Sequence, residues 1–255
     1  VIESDPGSCP RPHVAEDVDA YCLTHNETST GVQSEVVRIG LPGQLVLVDG
    51  TSAAGGLPLD ARSFDAYYFS PQKCFAADGG LWVALLSPAA IERSVRLGST
   101  SRWIPNSLDL NLALQNSRQD QTYNTPAVAT LFLFVQQLEW LLEEGGLDWA
   151  VARCRQTASI VYGWAERAPY ATPFVRDPEQ RSQVVATIDL APEVPASEVS
   201  RVLRRNGIVD IDGYRKLGRN QLRIGLFPAI EPEDAARLTQ AIDWVAARIG
   251  VANHV

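Results

Sequence analysis

The amino-acid sequence predicts an α/β fold followed by a smaller α+β unit, and two patterns indicate this. In the first half of the chain, short apolar runs are followed by turn residues, which is typical of buried strands in a mostly parallel sheet. From Thr125 onward the pattern changes to long helices and then to alternating strands and helices. We therefore predict a large domain over residues 1–150 and a small C-terminal α+β domain over residues 151–255.

Each predicted element has a local signal. Four apolar runs predict strands over 19–24, 44–48, 65–69 and 81–86, and the last three end at Asp49-Gly50, Ser70-Pro71 and Ser87-Pro88. Helices are predicted over 126–144 and 147–167, with Thr125 as the N-cap of the first and Gly145-Gly146 between the two. Further along, we predict strands over 184–189 and 222–226 and helices over 197–205 and 232–248. Ligand sites in such folds lie where strands end.

Composition and charge narrow the class of protein. Of the 255 residues, 45% are hydrophobic and 20% are charged, as in ordinary soluble globular chains. The net charge of -8 argues against nucleic acid or an anionic membrane as the main partner, so we expect small-molecule partners. No apolar run approaches the ~20 residues of a membrane span, which favours a cytoplasmic protein.

The four cysteines form no CxxC pair and only three histidines are present, so no metal site is predicted. Because the chain has no methionine, we expect it to be a piece of a longer polypeptide.

Lys73 gives the first indication of a pyridoxal phosphate site. The aldehyde of that cofactor needs a lysine amine to form a Schiff base, and the chain has only two lysines, Lys73 and Lys216. Lys73 directly follows the aromatic run Tyr-Tyr-Phe-Ser-Pro-Gln, and its flanks are small or apolar. The alternative is a solvated surface lysine, the usual state of this residue type.

Two polar segments at other strand ends point to the same cofactor. Asp49 ends the apolar run Leu-Val-Leu-Val, where a carboxylate bonded to the pyridine nitrogen would keep that nitrogen protonated. Its alternative role is an Asx turn or helix cap at the strand exit. The segment 121–126 (Gln-Thr-Tyr-Asn-Thr-Pro) offers donors to a phosphate, although helix capping explains the same residues.

Five longer segments resemble the phosphoserine aminotransferase family, in particular its actinobacterial form. They are HNETSTGV (25–32), VDGTSAAGG (48–56), DAYYFSPQKCFAADGGLW (65–82), QTYNTPA (121–127) and YRKLGRNQLRIGLFPAI (214–230), and their order and spacing agree over essentially the whole chain. The resemblance implies a fold-type I, class V, pyridoxal phosphate-dependent aminotransferase that works as a homodimer with shared active sites. The sequence departs from the family at Cys74, where asparagine is common, and at Tyr214, where many relatives have histidine. The match begins well inside the family's chain, and the family's preceding part carries an aromatic residue that stacks on the cofactor ring.

The resemblance implies cofactor-binding roles for six residues: Thr28, Asp49, Gln72, Lys73, Asn124 and Thr125. Lys73 is implied to be the catalytic Schiff-base lysine and Asp49 to face the pyridine nitrogen. Thr28 is implied to contact the phenolic oxygen of the ring, and Gln72 to lie near the cofactor phosphate. Asn124 and Thr125 are implied to reach the phosphate bound in the neighbouring subunit.

Four residues are implied to bind substrate: Tyr214, Arg215, Lys216 and Arg223. Arg223 resembles the arginine that grips the substrate carboxylate, and the other three lie where the family binds the substrate's own phosphate. The charge pattern agrees, because residues 201–223 hold seven basic residues against two acidic ones in an acidic chain. For Arg201, Arg204 and Arg205, at helical spacing, we favour a solvated helix face.

The expected activity is therefore a ping-pong transamination. Glutamate and 3-phosphohydroxypyruvate would give 2-oxoglutarate and O-phospho-L-serine in serine biosynthesis, with Lys73 as the general base. Two alternatives stay open: another class V aminotransferase of the serine–pyruvate or alanine–glyoxylate type, or a non-catalytic truncated remnant. The sequence does not decide whether 4-phosphohydroxy-L-threonine of vitamin B6 synthesis is a second substrate.

Overall fold

The structure is a computed structural model that describes residues 1–252, with side chains up to residue 249. Its strands are β1 (Ala20–Thr24), β2 (Asn26–Glu27), β3 (Val32–Gln33), β4 (Leu45–Asp49), β5 (Ala66–Phe69), β6 (Val83–Leu86), β7 (Ala171–Pro173), β8 (Val185–Leu190) and β9 (Gln221–Gly225). Its helices are α1 (Pro88–Gly98), α2 (Leu110–Ser117), α3 (Val128–Glu144), α4 (Gly146–Arg167), α5 (Ala196–Arg205) and α6 (Pro232–Ala252). None of these helices carries an apolar stretch long enough to cross a membrane.

The first sheet has the strand order β1-β4-β5-β6. Strands β1, β4 and β5 are parallel, and β6 runs antiparallel to β5. Strand β4 lies between two partners, and its Val46 and Val48 are fully buried, which explains its continuous apolar sequence. Parallel strands end at the same edge, so Thr24, Asp49 and Tyr68 fall in one register row there. This edge positions the candidate site.

An aromatic core lies beneath that edge. Phe69 of β5 stacks on Phe75 at 5.3 Å between ring centroids, and Phe75 meets Phe134 of α3 edge-on at 5.0 Å. Such pairs stabilise a core beyond the apolar area they bury. The chain between Phe69 and Phe75, which contains Lys73, is thus anchored in the core at both ends.

The C-terminal part is an antiparallel sheet with helices packed on it. The strand order is β7-β8-β9, and Ile188, Leu222 and Leu226 are fully buried. Val199 and Leu203 line the apolar face of α5 and join the same core as α4 and α6. This is the small α+β unit that the sequence predicts.

Helix α4 runs across the predicted domain boundary near residue 150. Its Ala150 packs in the core of the first sheet, whereas Ala158 and Ala165 pack in the core of the second. The change of core thus falls within one continuous helix, and the division into residues 1–150 and 151–255 stays a prediction.

Strand and helix predictions agree with the structure to within two residues at most ends, but three details differ. The prediction of Thr125 as the N-cap of α3 is wrong, because the cap is Ala127 and makes no side-chain hydrogen bond. Ser87-Pro88, interpreted as a turn, begins α1: the Ser87 Oγ accepts a hydrogen bond from the Ala90 N–H at 3.1 Å. Helix α2 carries no strong sequence signal, and none of the predicted elements covers it.

Candidate active site

Asp49 lies at the carboxyl end of β4, where the chain turns through Gly50 and Thr51; we call this turn the Asp49 corner. Three hydrogen bonds hold it in place. Its main-chain oxygen accepts from the N–H of His25 at 2.9 Å, and the N–H of Gly50 donates to the oxygen of Tyr68 at 2.9 Å. One carboxylate oxygen of Asp49, Oδ1, accepts from the N–H of Thr51 at 2.8 Å. Asp49 therefore forms an Asx turn, the alternative role that the sequence also allows, and its half-buried carboxylate is held at the end of the sheet.

A cluster of hydroxyl and amide groups lies beside this corner. The Thr28 hydroxyl donates to the Ser52 Oγ at 2.7 Å, and the Asn26 Nδ2 donates to the same oxygen at 2.9 Å. Ser52 in turn donates to the main-chain oxygen of Asn26 at 3.1 Å. Thr28, a predicted site residue, is thus tied to the segment that follows Asp49.

Lys73 lies in the turn that follows β5. Its main-chain oxygen accepts from the N–H of Ala76 at 3.0 Å, and its side chain is half-buried. The neighbouring Cys74 is 1% exposed and donates from Sγ to the main-chain oxygen of Ser52 at 3.4 Å. That contact brings the lysine turn against the turn that follows Asp49, so Lys73, Asp49 and Thr28 belong to one group.

Cys74 itself is a buried thiol. Burial raises its pKa well above the usual value, the nearby Cys154 raises it further, and the Lys73 ammonium opposes this shift. No side chain fits at Gly56, because a Cβ there would lie 2.7 Å from the Cys74 Sγ. The cysteine that departs from the family pattern therefore fills a close-packed position beneath the lysine.

Three further predicted cofactor residues are exposed, and among the described residues their side chains make no hydrogen bond to this group. Gln72 is exposed in the lysine turn, and Asn124 and Thr125 are exposed in the segment before α3. The main-chain oxygen of Asn124 accepts from the Thr122 hydroxyl at 2.5 Å. Within residues 1–252, no side-chain hydrogen bond ties Asn124 or Thr125 to the Asp49 corner, and their implied role in a second subunit stays a prediction.

The predicted substrate residues lie at β9 and the turn before it. The Arg223 guanidinium, half-buried, lies over the ring of Tyr214 at 5.7 Å from its centroid. Arg215 and Lys216 are exposed in the short helical turn Arg215–Leu217. Arg201, Arg204 and Arg219 are instead paired with carboxylates: Arg201 with Glu198, Arg204 with Asp210 and Asp212, and Arg219 with Asp189. Among the described residues, no salt bridge engages Arg215, Lys216 or Arg223.

The β2–β3 hairpin joins the two groups. Its Thr30 oxygen accepts from the Thr187 hydroxyl at 2.7 Å, and its Gly31 oxygen accepts from the N–H of Ser182 at 2.9 Å. Gly31 has a positive φ of 70°, and a Cβ there would lie 2.8 Å from the Thr187 Oγ1. The close approach of the hairpin to β8 therefore needs a glycine.

Asn26 and Ser52 belong to this group but are not among the site residues predicted from the sequence. Both are buried, and both follow strand ends, in Asn-Glu-Thr after β1 and in Thr-Ser after Asp49-Gly50. Their position after strand ends is the signal for them in the sequence, because ligand sites in such folds lie there. No cluster of three potential metal ligands occurs in residues 1–252.

This fold and this group of residues define a class of protein. A family model described as "Aminotransferase class-V" matches residues 10–217, and the chain belongs to that family. The membership confirms the predicted fold-type I α/β architecture and the predicted class of enzyme, a pyridoxal phosphate-dependent aminotransferase.

The comparisons also point to one kind of aminotransferase. The phosphoserine aminotransferase of Rhodococcus opacus (strain B4) is 55% identical over 251 residues, which are 98% of this chain and 67% of that protein. A phosphoserine aminotransferase structure from Cytophaga hutchinsonii has a TM-score of 0.86 at 27% identity, covering 94% of this chain and 68% of that one. A Trichomonas vaginalis phosphoserine aminotransferase structure with bound PLP shares the fold, with a TM-score of 0.76 at 19% identity over 90% of this chain and 61% of that one. The chain spans about two thirds of the length of these relatives. The predicted resemblance to phosphoserine aminotransferases is confirmed.

Proposed function

We propose that the chain takes part in the phosphoserine aminotransferase reaction, in which an amino group passes from glutamate to 3-phosphohydroxypyruvate. The products would be 2-oxoglutarate and O-phospho-L-serine. The observation that carries the proposal is the contact between the lysine turn and the Asp49 turn, through the Cys74 and Ser52 hydrogen bond of 3.4 Å. It brings the half-buried Lys73 to the end of the parallel strands. The names of the relatives contain phosphoserine, the amino acid that the proposed reaction would form.

The residues present fit pyridoxal phosphate. Asn26 is 4% exposed, yet its Oδ1 accepts no hydrogen bond from any described residue, which leaves a buried acceptor beside Thr28 and Ser52. Buried acceptors need a donor, and a bound ligand would supply one. The donor set also fits: an amine for the aldehyde, a carboxylate for the ring nitrogen and hydroxyl groups for the phenolic oxygen.

Four residues of this chain would hold the cofactor: Lys73 at the aldehyde carbon, Asp49 at the ring nitrogen, Thr28 at the phenolic oxygen and Gln72 near the phosphate. When bound, pyridoxal phosphate supplies a carbonyl that exchanges amino groups and a protonated ring that withdraws electrons. The Lys73 Nζ, once free, would take the proton from the Cα of the amino donor. Asp49 would keep the ring nitrogen protonated through its negative charge.

The basic segment would hold the substrate. Arg223 would bind the carboxylate that glutamate and 3-phosphohydroxypyruvate share, since a guanidinium forms a two-pronged bond with a carboxylate. The Tyr214 ring supports that guanidinium from one side. Arg215 and Lys216, exposed and without a carboxylate partner among the described residues, would bind the substrate phosphate together with Tyr214. The phosphorylated threonine analogue of vitamin B6 synthesis carries the same two anionic groups and would fit the same residues.

A homodimer with shared sites is part of the proposal. Helix α3 exposes Val128, Phe132, Val135 and Leu142 by between 46% and 72%, an apolar surface of the kind that subunit interfaces cover. Asn124 and Thr125 precede that helix and would reach the cofactor phosphate of the second subunit. The predicted cytoplasmic location follows from the proposed role in serine biosynthesis and stays a prediction.

Borohydride trapping tests the cofactor site. The chain is incubated with pyridoxal phosphate, reduced with borohydride and digested, and the modified peptide is identified by mass spectrometry. We expect a visible absorption band and a modification on Lys73, with Lys216 as the internal control that stays unmodified. Lys73→Ala should keep the fold, as judged by circular dichroism, and lose the band and all turnover. Modification of both lysines alike, or turnover in Lys73→Ala, contradicts the proposal.

Substrate comparison separates the proposal from other class V activities. Transamination from glutamate is measured with 3-phosphohydroxypyruvate and with hydroxypyruvate, and in separate assays with pyruvate and glyoxylate. We expect kcat/KM to fall by at least about a hundredfold when the phosphate is removed, since each charge-assisted contact contributes about 1.5–3 kcal/mol. Equal rates on the unphosphorylated acceptors would favour a serine–pyruvate or alanine–glyoxylate type. No turnover on any of them would favour the non-catalytic alternative.

A further inference from the structure

Beneath the Asp49 corner lies a pair of buried polar side chains to which the proposed reaction gives no role. The Nδ1 atom of His25 and the hydroxyl of Tyr67 share a hydrogen bond of 3.1 Å. The two residues are 4% and 1% exposed, respectively. Buried polar groups are costly unless they satisfy one another, and apolar side chains would have packed at these positions without that requirement.

The pair touches the corner from two sides. The main-chain N–H of His25 donates to the main-chain oxygen of Asp49 at 2.9 Å. The phenol of Tyr67 fills the space that a side chain at Gly50 would occupy, since a Cβ there would lie 2.4 Å from the phenol oxygen. One contact acts on the residue that carries the carboxylate, and the other acts on the next residue. Together these two contacts hold the Asp49 corner in place against the core.

Both side chains are neutral at pH 7. Burial lowers the pKa of His25 to about 4. Burial also raises the pKa of the Tyr67 hydroxyl, and the negative charge of the Asp49 carboxylate raises it further. A neutral pair does not compete with a protonated ring nitrogen for the Asp49 carboxylate. The pair can therefore support the carboxylate without neutralising it.

We propose that Tyr67 and His25 are positioning residues that hold the Asp49 carboxylate where it meets the ring nitrogen of the cofactor. The proposal rests on the proposed function, because it needs the cofactor at this site. The Tyr67 side chain acts by packing against the main chain of Gly50. The His25 side chain acts by holding the Tyr67 hydroxyl, while its main-chain N–H is bonded to the oxygen of Asp49.

The test compares two cofactors on the full chain. One is pyridoxal phosphate, and the other is its 1-deaza analogue, in which a C–H group replaces the ring nitrogen. The Kd for each is measured by absorbance titration with the wild type, Tyr67→Phe and Tyr170→Phe. Tyr170→Phe is the matched control, since it removes a hydroxyl that is bonded to Asp243 in the C-terminal part.

We expect the wild type and the control to prefer pyridoxal phosphate over the analogue by the same ratio. In Tyr67→Phe that ratio should fall about fivefold, the effect of one ordinary hydrogen bond. His25→Gln, which keeps a polar group near the phenol, should lose less of the ratio than His25→Ala.

Two results overturn the proposal while the proposed function stands. In the first, Tyr67→Phe keeps the wild-type ratio, even if it binds both cofactors more weakly, because a general loss of packing acts on both alike. In the second, the wild type forms the adduct at Lys73 but binds the two cofactors equally. No bond to the ring nitrogen then exists to be positioned, and the role proposed for Asp49 falls as well, while the reaction proposed for the chain stands. A wild type that forms no adduct at Lys73 with either cofactor is a different result, and it overturns the proposed function together with this inference.

Discussion

The hydroxyl of Thr187 donates a hydrogen bond of 2.7 Å to the main-chain oxygen of Thr30, and this bond ties the C-terminal sheet to the β2–β3 hairpin. The same hairpin carries Thr28, which is bonded to Ser52 beside the Asp49 corner. On the other side, Thr187 pairs across the sheet with Arg223. One short hairpin therefore fixes the distance between the candidate cofactor group and the candidate substrate arginine.

Removing the Thr187 hydroxyl should loosen this link. Thr187→Val keeps the shape of the side chain but leaves the Thr30 oxygen, in a residue 8% exposed, without its donor. We expect a loss of about 1–3 kcal/mol in the free energy of unfolding, measured by urea denaturation. The control is Thr172→Val on β7, whose hydroxyl makes no hydrogen bond to another described residue and which should change stability by less than about 0.5 kcal/mol. Equal stability of the two variants would mean that the hairpin is held by other contacts.

A methyl group at Gly50 should disturb the Asp49 corner. In Gly50→Ala the new Cβ would lie 2.1 Å from the Tyr67 Cζ, and that ring is 1% exposed with no free space to enter. We expect a destabilisation of about 3 kcal/mol or more, at the upper end of overpacking effects, together with loss of pyridoxal phosphate binding. Gly79→Ala is the control, because its Cβ would meet only the Gln72 Cδ at 4.0 Å. The measurement is the thermal unfolding midpoint of both variants. A Gly50→Ala protein as stable as the Gly79→Ala control would contradict the packing described for Tyr67.

Much of the fold could be predicted from the sequence because its signals are local. The apolar run of β4 and the Gly145-Gly146 break between α3 and α4 depend on neighbours along the chain. Helix α1 was missed although Ser87-Pro88 is an ordinary helix start, since the same dipeptide also marks turns. The N-cap at Thr125 was wrong because several polar residues precede α3 and only packing selects where the helix begins.

The candidate site could be predicted only in part, for a similar reason. Lys73 and Asp49 stand out because each has an unusual residue type for its place in the sequence. Asn26 and Ser52 do not, since polar residues after strands are common, and only the fold brings them to one hydrogen-bonded cluster. His25 and Tyr67 lie 42 residues apart in the chain, and the hydrogen bond between them depends on the pairing of β4 with β5.

Arg223 should matter for substrate affinity. Arg223→Ala removes a half-buried guanidinium that lies over Tyr214 and has no carboxylate partner among the described residues. We expect KM to rise about tenfold or more for both glutamate and 3-phosphohydroxypyruvate, with a smaller change in kcat, since a charge-assisted pair contributes about 1.5–3 kcal/mol. Arg201→Ala, which removes an exposed arginine paired with Glu198, should leave both KM values within a factor of two of the wild type. An unchanged KM in Arg223→Ala would remove the proposed role.

His25 should make the protein sensitive to mild acid. Burial lowers its pKa in the folded chain to about 4, whereas an unfolded histidine titrates near pH 6.5. Above about pH 6.5 the side chain is neutral in both states and adds no pH dependence. Between about pH 6.5 and 4 the unfolded chain binds a proton that the folded chain does not, so stability falls as the pH falls, by about 1.4 kcal/mol per pH unit.

Urea unfolding at pH 7 and pH 5 measures this contribution. Between these two values His25 should account for a loss of about 2 kcal/mol, which His25→Gln should not show. For each protein, the free energy of unfolding at pH 5 is compared with its own value at pH 7. The variant therefore does not need to match the wild type in absolute stability. His13→Gln is the control, because it removes an exposed histidine and should keep the wild-type loss. If His25→Gln lost as much stability as the wild type between pH 7 and pH 5, the histidine beneath the Asp49 corner would take up its proton in the folded state, and the neutral pair with Tyr67 would not exist at pH 5.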